Sequence, residues 1–325
     1  MRFAVYLPWL LSLAVALPGV AAALRGLPDR LDPRPVLVLL TTSMAALALA
    51  TTASLGLLVA AGASDLVHEG PLTSPDGHTD PAALPAGLVA AVLLALALAR
   101  LVRTVRTRAR RHRLARAVVA EGDASPVPGV LLVEDEEVFA VATAPRPGHP
   151  GRVVVSRGMW AALDDEERAA VLAHEQEHLD RSHHRYLAVA ALAIALNPLL
   201  APWWCDVVYG AERCADEAAA RRVADRRLVA RAVGRAALAA RACRSRPTGP
   251  RRVLLDPALG ATGGPVPRRV GALLAGWDRA RHPGAHLAPA LVAGAVLLTF
   301  VALAAAGAAH AAWDLGDLLR AVPRA

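Results

Sequence analysis

Long apolar blocks alternate with short polar segments along this chain. Four of the blocks approach the length of about 20 residues that an apolar helix needs to cross the hydrocarbon core of a bilayer. The first block could instead be a cleaved signal peptide, because small residues stand near its end. The pattern predicts a mainly α membrane protein with about four transmembrane helices, at residues 3–24, 36–63, 84–101 and 287–309.

These blocks divide the chain into four parts. Residues 1–102 would hold three N-terminal transmembrane helices, 287–309 a C-terminal transmembrane helix, and 310–325 a short outer tail. The remaining part, residues 103–286, is polar enough to fold outside the bilayer. A hydrophobic content of 55% fits this division, since it exceeds that of an ordinary soluble domain.

The distribution of charge indicates which side of the membrane each part occupies. The loop at 64–83 has acidic residues and no arginine, whereas arginines crowd the chain between Arg100 and Arg116. Because basic residues collect on the cytoplasmic side of spans, residues 103–286 are predicted to be cytoplasmic, in a multi-pass protein of the plasma membrane. The net charge of +8 could also suit nucleic acid. However, the arginines flank apolar blocks and no aromatic residues alternate with them, so we expect a lipid bilayer as partner and no direct nucleic acid binding.

Strand and helix patterns alternate within the predicted cytoplasmic domain. Two β-rich runs, residues 138–143 and 152–156, are separated by turn-forming residues and predict a β-hairpin. The segment "LDDEERAAVLAHEQEHL" then shows helical spacing of apolar residues, with Asp164 and Glu167 placed as a capping box. A basic helix is expected at about residues 212–241. The domain is therefore predicted to be α+β.

The predicted helix carries the motif His-Glu-x-x-His. His174 and His178 are four residues apart, so they project from one helical face and could share a zinc ion. Glu175 stands beside them, where its carboxylate could take a proton from a water molecule. An ion-paired surface helix is the alternative, but apolar neighbours such as Val171 and Leu172 favour a buried one. Burying two histidines and a glutamate without a partner would be costly, which favours a zinc site.

A catalytic zinc site needs a third protein ligand, and the sequence offers two candidates. His184 has the spacing of H-E-x-x-H-x-x-G-x-x-H, but Arg181 stands where that pattern requires glycine, and no methionine follows for a Met-turn. The other candidate is Glu212 in "AERCADEAA", where Asp216 follows four residues later on the same helical face.

The segment "VVVSRGMWAALDDEERAAVLAHEQEHL", the element "AERCADEAA" and the membrane spans together resemble the integral-membrane gluzincins. The resemblance is strongest to the BlaR/MecR antirepressor peptidases, with the HtpX-like proteases as relatives, and it implies a zincin-like metallopeptidase domain. It implies that Zn²⁺ is held by His174, His178 and Glu212, that Glu175 is the general base, and that Asp216 orients a ligand histidine.

The same resemblance bears on substrate and signal. It implies that the strand at 138–143 pairs with an extended protein substrate. Penicillin-sensing relatives carry an extracellular sensor domain after the last helix, whereas only 310–325 follow it here, so no penicillin sensor is expected.

An apolar segment at 187–202 separates the two predicted zinc elements, and Pro198 and Pro202 interrupt it. If this segment crossed the membrane once, Glu212 would lie on the opposite side from His174 and no shared metal site could form. We therefore expect a re-entrant or buried segment.

The function predicted from these features is a zinc-dependent membrane endopeptidase with a cytoplasmic active site. Its expected substrate is a cytoplasmic regulatory protein such as a transcriptional repressor. The alternatives are HtpX-like quality control of membrane proteins, a non-catalytic signalling scaffold, and a transporter. A scaffold does not need Glu175, and a transporter would need charged or broken positions that the predicted spans almost entirely lack.

Overall fold

The computed structural model describes six stretches of the chain. It is mainly helical, with two long helices followed by a small sheet and a group of shorter helices. The predicted spans at 3–24 and 287–309, and the predicted tail at 310–325, lie outside the described residues. The stretches are residues 32–67, 83–121, 123–124, 127–143, 151–244 and 266–275.

Helices α1 (Pro33–Val67) and α2 (Ala83–Glu121) correspond to the second and third predicted spans. Their apolar stretches, of 28 and 31 residues, are long enough to cross a membrane. The two helices pack side by side and approach closely at a pair of glycines: a Cβ on Gly87 would lie 2.8 Å from the Cα of Gly62. Small residues allow such close approach between helices in membranes.

A four-stranded sheet follows, with the strand order β1-β2-β4-β3. The predicted hairpin is confirmed, because β3 pairs with β4 in antiparallel register from Ala140 opposite Val155 to Thr143 opposite Arg152. In this sheet β3 occupies an edge, whereas β2 pairs with β4 in parallel, a contact that the sequence pattern did not reveal. The strands are β1 (Asp123–Ala124), β2 (Val130–Val133), β3 (Ala140–Thr143) and β4 (Arg152–Ser156).

The sheet leads through α3 (Arg157–Ala162) into α4 (Asp165–Asp180), the helix that carries the His-Glu-x-x-His motif. The predicted capping box is present at its start. The Asp164 carboxylate accepts a hydrogen bond from the Glu167 N–H at 2.9 Å, and the Glu167 carboxylate accepts one from the Asp164 N–H at 3.2 Å. The buried Glu167 also pairs with Arg235 at 2.7 Å, which anchors the start of α4 to a later helix.

Gly158, in the first turn of α3, lies against the backbone of the preceding loop. Its N–H donates to the Asp135 carbonyl at 3.0 Å, and a Cβ at this position would overlap the Glu136 carbonyl. We expect Gly158→Ala to lower the free energy of unfolding by about 1–3 kcal/mol, because the backbone must move to make room. Thermal unfolding in detergent, followed by circular dichroism, would measure the loss.

Gly234 supplies the matched control for this substitution. It lies inside a later helix, and a Cβ there would meet nothing within 4 Å. Gly234→Ala should therefore stabilise the protein by about 0.5–1 kcal/mol, as alanine does in helix interiors. Equal changes in stability for the two substitutions would contradict the steric argument at Gly158.

The apolar segment after α4 folds back on itself. It forms α5 (His183–Leu196) and a 3₁₀ helix (Pro198–Trp203), and α6 (Trp204–Val223) follows directly. At 1.5 Å per residue, α5 is only about 21 Å long, too short to cross a bilayer of about 30 Å. Its apolar side chains pack against α1 in one core cluster. Because the chain reverses after α5, α6 returns toward α4.

The prediction of one continuous basic helix at residues 212–241 is wrong. The structure contains two helices there, because α6 ends at Val223 and α7 (Arg226–Arg244) begins after a break. Ala224 adopts a left-handed conformation with φ of 55°, and the Asp225 carboxylate accepts a hydrogen bond from the Arg227 N–H at 2.7 Å. An N-cap residue has non-helical backbone angles, so Asp225 separates the two helices.

The last described helix, α8 (Val266–Ala275), packs against α6 and α7. Its residues Arg269 and Leu273, four apart, share the buried face of the helix. Residues 245–265, which precede this helix, lie outside the described part of the chain.

Candidate metal centre

The structure brings the three predicted ligands together, two from α4 and one from α6. One donor atom from each of His174, His178 and Glu212 lies within 4.8 Å of the others. The Nε2 atoms of His174 and His178 are 3.2 Å apart. The Glu212 carboxylate approaches them at 3.5 and 3.6 Å respectively. Residues more than 30 positions apart in sequence thus converge because α6 packs along α4.

Both the kinds of donor atom and their spacing fit a zinc ion. Zinc accepts imidazole nitrogens and carboxylate oxygens in a tetrahedral arrangement. Zinc–nitrogen bonds of about 2.0–2.1 Å place two ligand nitrogens about 3.3 Å apart, close to the separation of the two Nε2 atoms. Three protein ligands leave the fourth position open to water or substrate, as in catalytic rather than structural sites.

Glu175 is buried beside this cluster, at 1% exposure. Among the described residues, its Oε1 atom has no hydrogen-bond partner. Burial raises the pKa of the Glu175 carboxyl to about 7, although the nearby charge of His174 and a backbone hydrogen bond from Ala142 in β3 oppose the rise. A carboxyl with a pKa near neutrality can both accept and donate a proton, which suits general acid–base chemistry.

Asp216 lies behind the cluster, one helical turn after Glu212. Its Oδ1 atom is 3.0 Å from the Nδ1 atom of His174. Burial disfavours the charged form of His174, but the adjacent carboxylates of Asp216 and Glu212 outweigh it and raise the pKa of the imidazole to about 10. The two carboxylates thus favour a cation at His174 Nε2, whether a proton or a metal ion.

Arg269 on α8 completes the buried charge network, and the sequence reasoning missed it. Its guanidinium is fully buried and donates to both oxygens of Asp216, at 2.8 and 2.6 Å. Its Nη1 atom lies 2.7 Å from Glu212. Burial alone would raise the pKa of Asp216, but Arg269 holds it well below its usual range, so the aspartate stays charged. The one signal in the sequence was the four-residue spacing of Arg269 from the apolar Leu273.

The structure separates the two histidines at the start of α5. His184 is half-buried and near Arg108 and His112 of α2, so it is not among the converging ligands. His183 turns inward instead and is 2% exposed. Its Nδ1 atom lies 2.9 Å from the Nδ1 atom of His178. The sequence pattern offered His184 as a candidate ligand and gave no role to His183.

Part of the chain is similar to known proteases. Residues 105–203 match the model of Peptidase family M48, a stretch that includes the His-Glu-x-x-His motif and ends before Glu212. A Protease HtpX homolog of Lactiplantibacillus plantarum is 35% identical over 78 residues, 24% of this chain and 26% of that protein. A Protease HtpX homolog of Aquifex aeolicus is 41% identical over 71 residues, 22% of each chain. No solved structure matches.

The chain spans about a quarter of the length of the curated relatives it matches. Within that stretch, the matches support a membrane-type metallopeptidase similar to the M48 family. The two long apolar helices and the similarity to HtpX homologues together indicate a membrane protein. The narrower resemblance to BlaR/MecR antirepressor peptidases stays a prediction.

Proposed function

We propose that this chain is a zinc-dependent endopeptidase embedded in the plasma membrane, with its active site facing the cytoplasm. The observation that carries the proposal is the convergence of His174, His178 and Glu212 within 4.8 Å, next to the buried Glu175. Neither a scaffold nor a transporter would need a buried carboxyl of raised pKa beside a potential metal site.

The proposed chemistry assigns a separate role to each residue. A bound zinc ion would supply Lewis-acid chemistry, which polarises a peptide carbonyl and makes a water molecule more acidic. Glu175 takes a proton from the attacking water molecule while the oxygen of that water forms a bond to the carbonyl carbon. Glu175 then passes that proton to the amine nitrogen as the peptide C–N bond breaks. Asp216 accepts the Nδ1 proton of His174 and so keeps the Nε2 lone pair available for the metal.

The edge strand β3 suits the binding of an extended substrate. An edge strand presents unpaired backbone groups to which another chain can add as a strand. Ala142 of β3 lies beside Glu175, so a segment paired with β3 would pass close to the proposed base. We therefore propose that the substrate is a protein segment in extended conformation, and that the peptide bond next to Glu175 is cleaved.

For the substrate itself, we propose a cytoplasmic regulatory protein such as a transcriptional repressor. The support is the resemblance of the two zinc elements to antirepressor peptidases. An HtpX-like role in membrane-protein quality control is the second candidate, and its support is the partial similarity to HtpX homologues. The two candidates share one active site and differ in the class of protein that is cleaved.

Replacing Glu212 by glutamine tests the metal centre directly. We expect zinc affinity to fall by roughly 100-fold or more, because even residues that only orient a ligand contribute about 10–100-fold. The measurement is zinc competition with a fluorescent chelator, made on the full chain in detergent, together with cleavage of an unfolded protein such as casein.

His184→Gln is the matched control, since His184 was the competing candidate for the third ligand. It should leave both zinc affinity and casein cleavage unchanged, because His184 lies near α2 and not among the converging ligands. Loss of zinc in His184→Gln, with zinc retained in Glu212→Gln, would reverse the assignment.

A further inference from the structure

We infer that His183 is a positioning residue of the metal centre, whose imidazole accepts a hydrogen bond from His178 and so fixes its tautomer. The two Nδ1 atoms are 2.9 Å apart, and the rings meet edge-on with their planes at 84°. His183 is buried, with 2% of its surface exposed. The inference rests on the proposed function, because it concerns how one proposed ligand is held.

When His178 binds a metal through Nε2, only His178 can be the donor of the hydrogen bond between the two imidazoles. A neutral imidazole has one protonated nitrogen and one nitrogen that can accept a hydrogen bond. The Nε2 atom of His178 faces His174 and Glu212, so this nitrogen would bind the metal. The proton of His178 then sits on Nδ1, and His183 must accept it at its own Nδ1. His183 is therefore neutral and carries its proton on Nε2, and its burial favours this form.

The turn between α4 and α5 places His183 in this position. Arg181 is the C-cap residue of α4, and Ser182 adopts a left-handed conformation with φ of 53°, which is uncommon for a residue with a side chain. Such a conformation is unfavourable for a residue with a side chain and persists where surrounding contacts require it. The reversal at Ser182 returns His183 to His178, only five residues earlier in the chain.

The two ligand histidines thus have different outer partners. His174 faces the charged carboxylate of Asp216, whereas His178 faces the neutral ring of His183. Partners of this kind set the tautomer and the orientation of a metal-ligating histidine, and their loss costs about 10–100-fold in metal affinity. His183 would set the tautomer and orientation of His178, on the side of the site away from Asp216 and Arg269.

Two substitutions at residue 183 separate the hydrogen bond from the shape of the side chain. In asparagine, Oδ1 is the same number of bonds from Cα as Nδ1 of histidine, so His183→Asn keeps an acceptor there. His183→Leu places a methyl group at that point and removes the acceptor. His184→Leu is the control for an apolar change at the neighbouring residue, outside the ligand cluster.

The experiment measures zinc affinity by chelator competition on the full chain in detergent, and the visible absorption of the Co²⁺-loaded proteins. We expect His183→Leu to lower zinc affinity about 10–100-fold and to change the cobalt spectrum. His183→Asn should remain close to the native chain in both measurements, and so should His184→Leu. Unfolding of the metal-free proteins shows whether each variant folds, and His183→Ala replaces His183→Leu if the latter does not.

Two outcomes would overturn the inference while leaving the proposed function intact. One is that His183→Leu binds zinc as tightly as the native chain. The other is that His183→Asn loses as much affinity as His183→Leu, which would show that the acceptor is not what matters. Failure of the native chain itself to bind zinc would instead remove the proposed function.

Discussion

Replacing Glu175 by glutamine is expected to lower the rate of peptide hydrolysis about 10²–10⁴-fold, with zinc still bound. Glutamine has nearly the shape of glutamate but cannot take a proton from water, whereas the three proposed ligands are unchanged. Casein cleavage by the purified chain gives the rate, and elemental analysis of the same sample gives the zinc content. Glu175 is buried beside the ligand cluster, so the conservative change is preferred to alanine.

Glu166→Gln supplies the control, because Glu166 lies on the same helix but is exposed and paired only loosely with Arg231, at 3.6 Å. This control should cleave at the native rate. A native rate in Glu175→Gln would contradict the proposed mechanism. Loss of zinc in that variant would instead mean that Glu175 holds the metal.

The same pair of proteins can identify the substrate. Newly formed protein N-termini are mapped in cells that carry either the native chain or Glu175→Gln. Fragments of a DNA-binding repressor that appear only with the native chain would support a signalling peptidase, and fragments of membrane proteins would support quality control. No difference under several cell-envelope stresses would favour a non-catalytic scaffold.

Replacing Arg269 by alanine is expected to lower the free energy of unfolding of the zinc-free protein by about 3–5 kcal/mol. The guanidinium is fully buried and pairs with both Asp216 and Glu212, so its removal leaves two buried carboxylates that share only the imidazole of His174 as a cationic partner. Arg269→Lys should recover only part of this loss, because an ammonium group cannot reproduce two parallel hydrogen bonds. Denaturant unfolding in one detergent would measure the free energy of unfolding of the native chain, Arg269→Ala and Arg269→Lys.

Arg221→Ala is the control for the loss of a positive charge. Arg221 is exposed on α6, the helix that also carries Asp216. Its removal should change stability by no more than about 0.5 kcal/mol. If Arg269→Ala costs less than about 1 kcal/mol, the carboxylates are stabilised by another group and the role assigned to Arg269 is wrong.

Much of the local structure could be predicted from the sequence because it depends on near neighbours. The capping box of Asp164 and Glu167 acts over three residues, and the hairpin of β3 and β4 joins strands that follow each other closely. Two features were not predicted from the sequence, one because it depends on a distant contact and the other because it depends on a single residue. The parallel pairing of β2 with β4 depends on a contact between strands that are not consecutive. The helix break at Ala224 depends on a single capping residue, Asp225, within an otherwise helical pattern.

By itself, the sequence determined which residues share a helical face, because a spacing of four residues settles this wherever the helix lies. It therefore paired His174 with His178, and Glu212 with Asp216. Only the tertiary structure decided that these two pairs meet, that His184 stays outside and that Arg269 closes the charge network. These contacts depend on how α4, α6 and α8 pack against one another. Helix packing is determined by the burial of whole apolar faces, and a short motif carries no information about those faces.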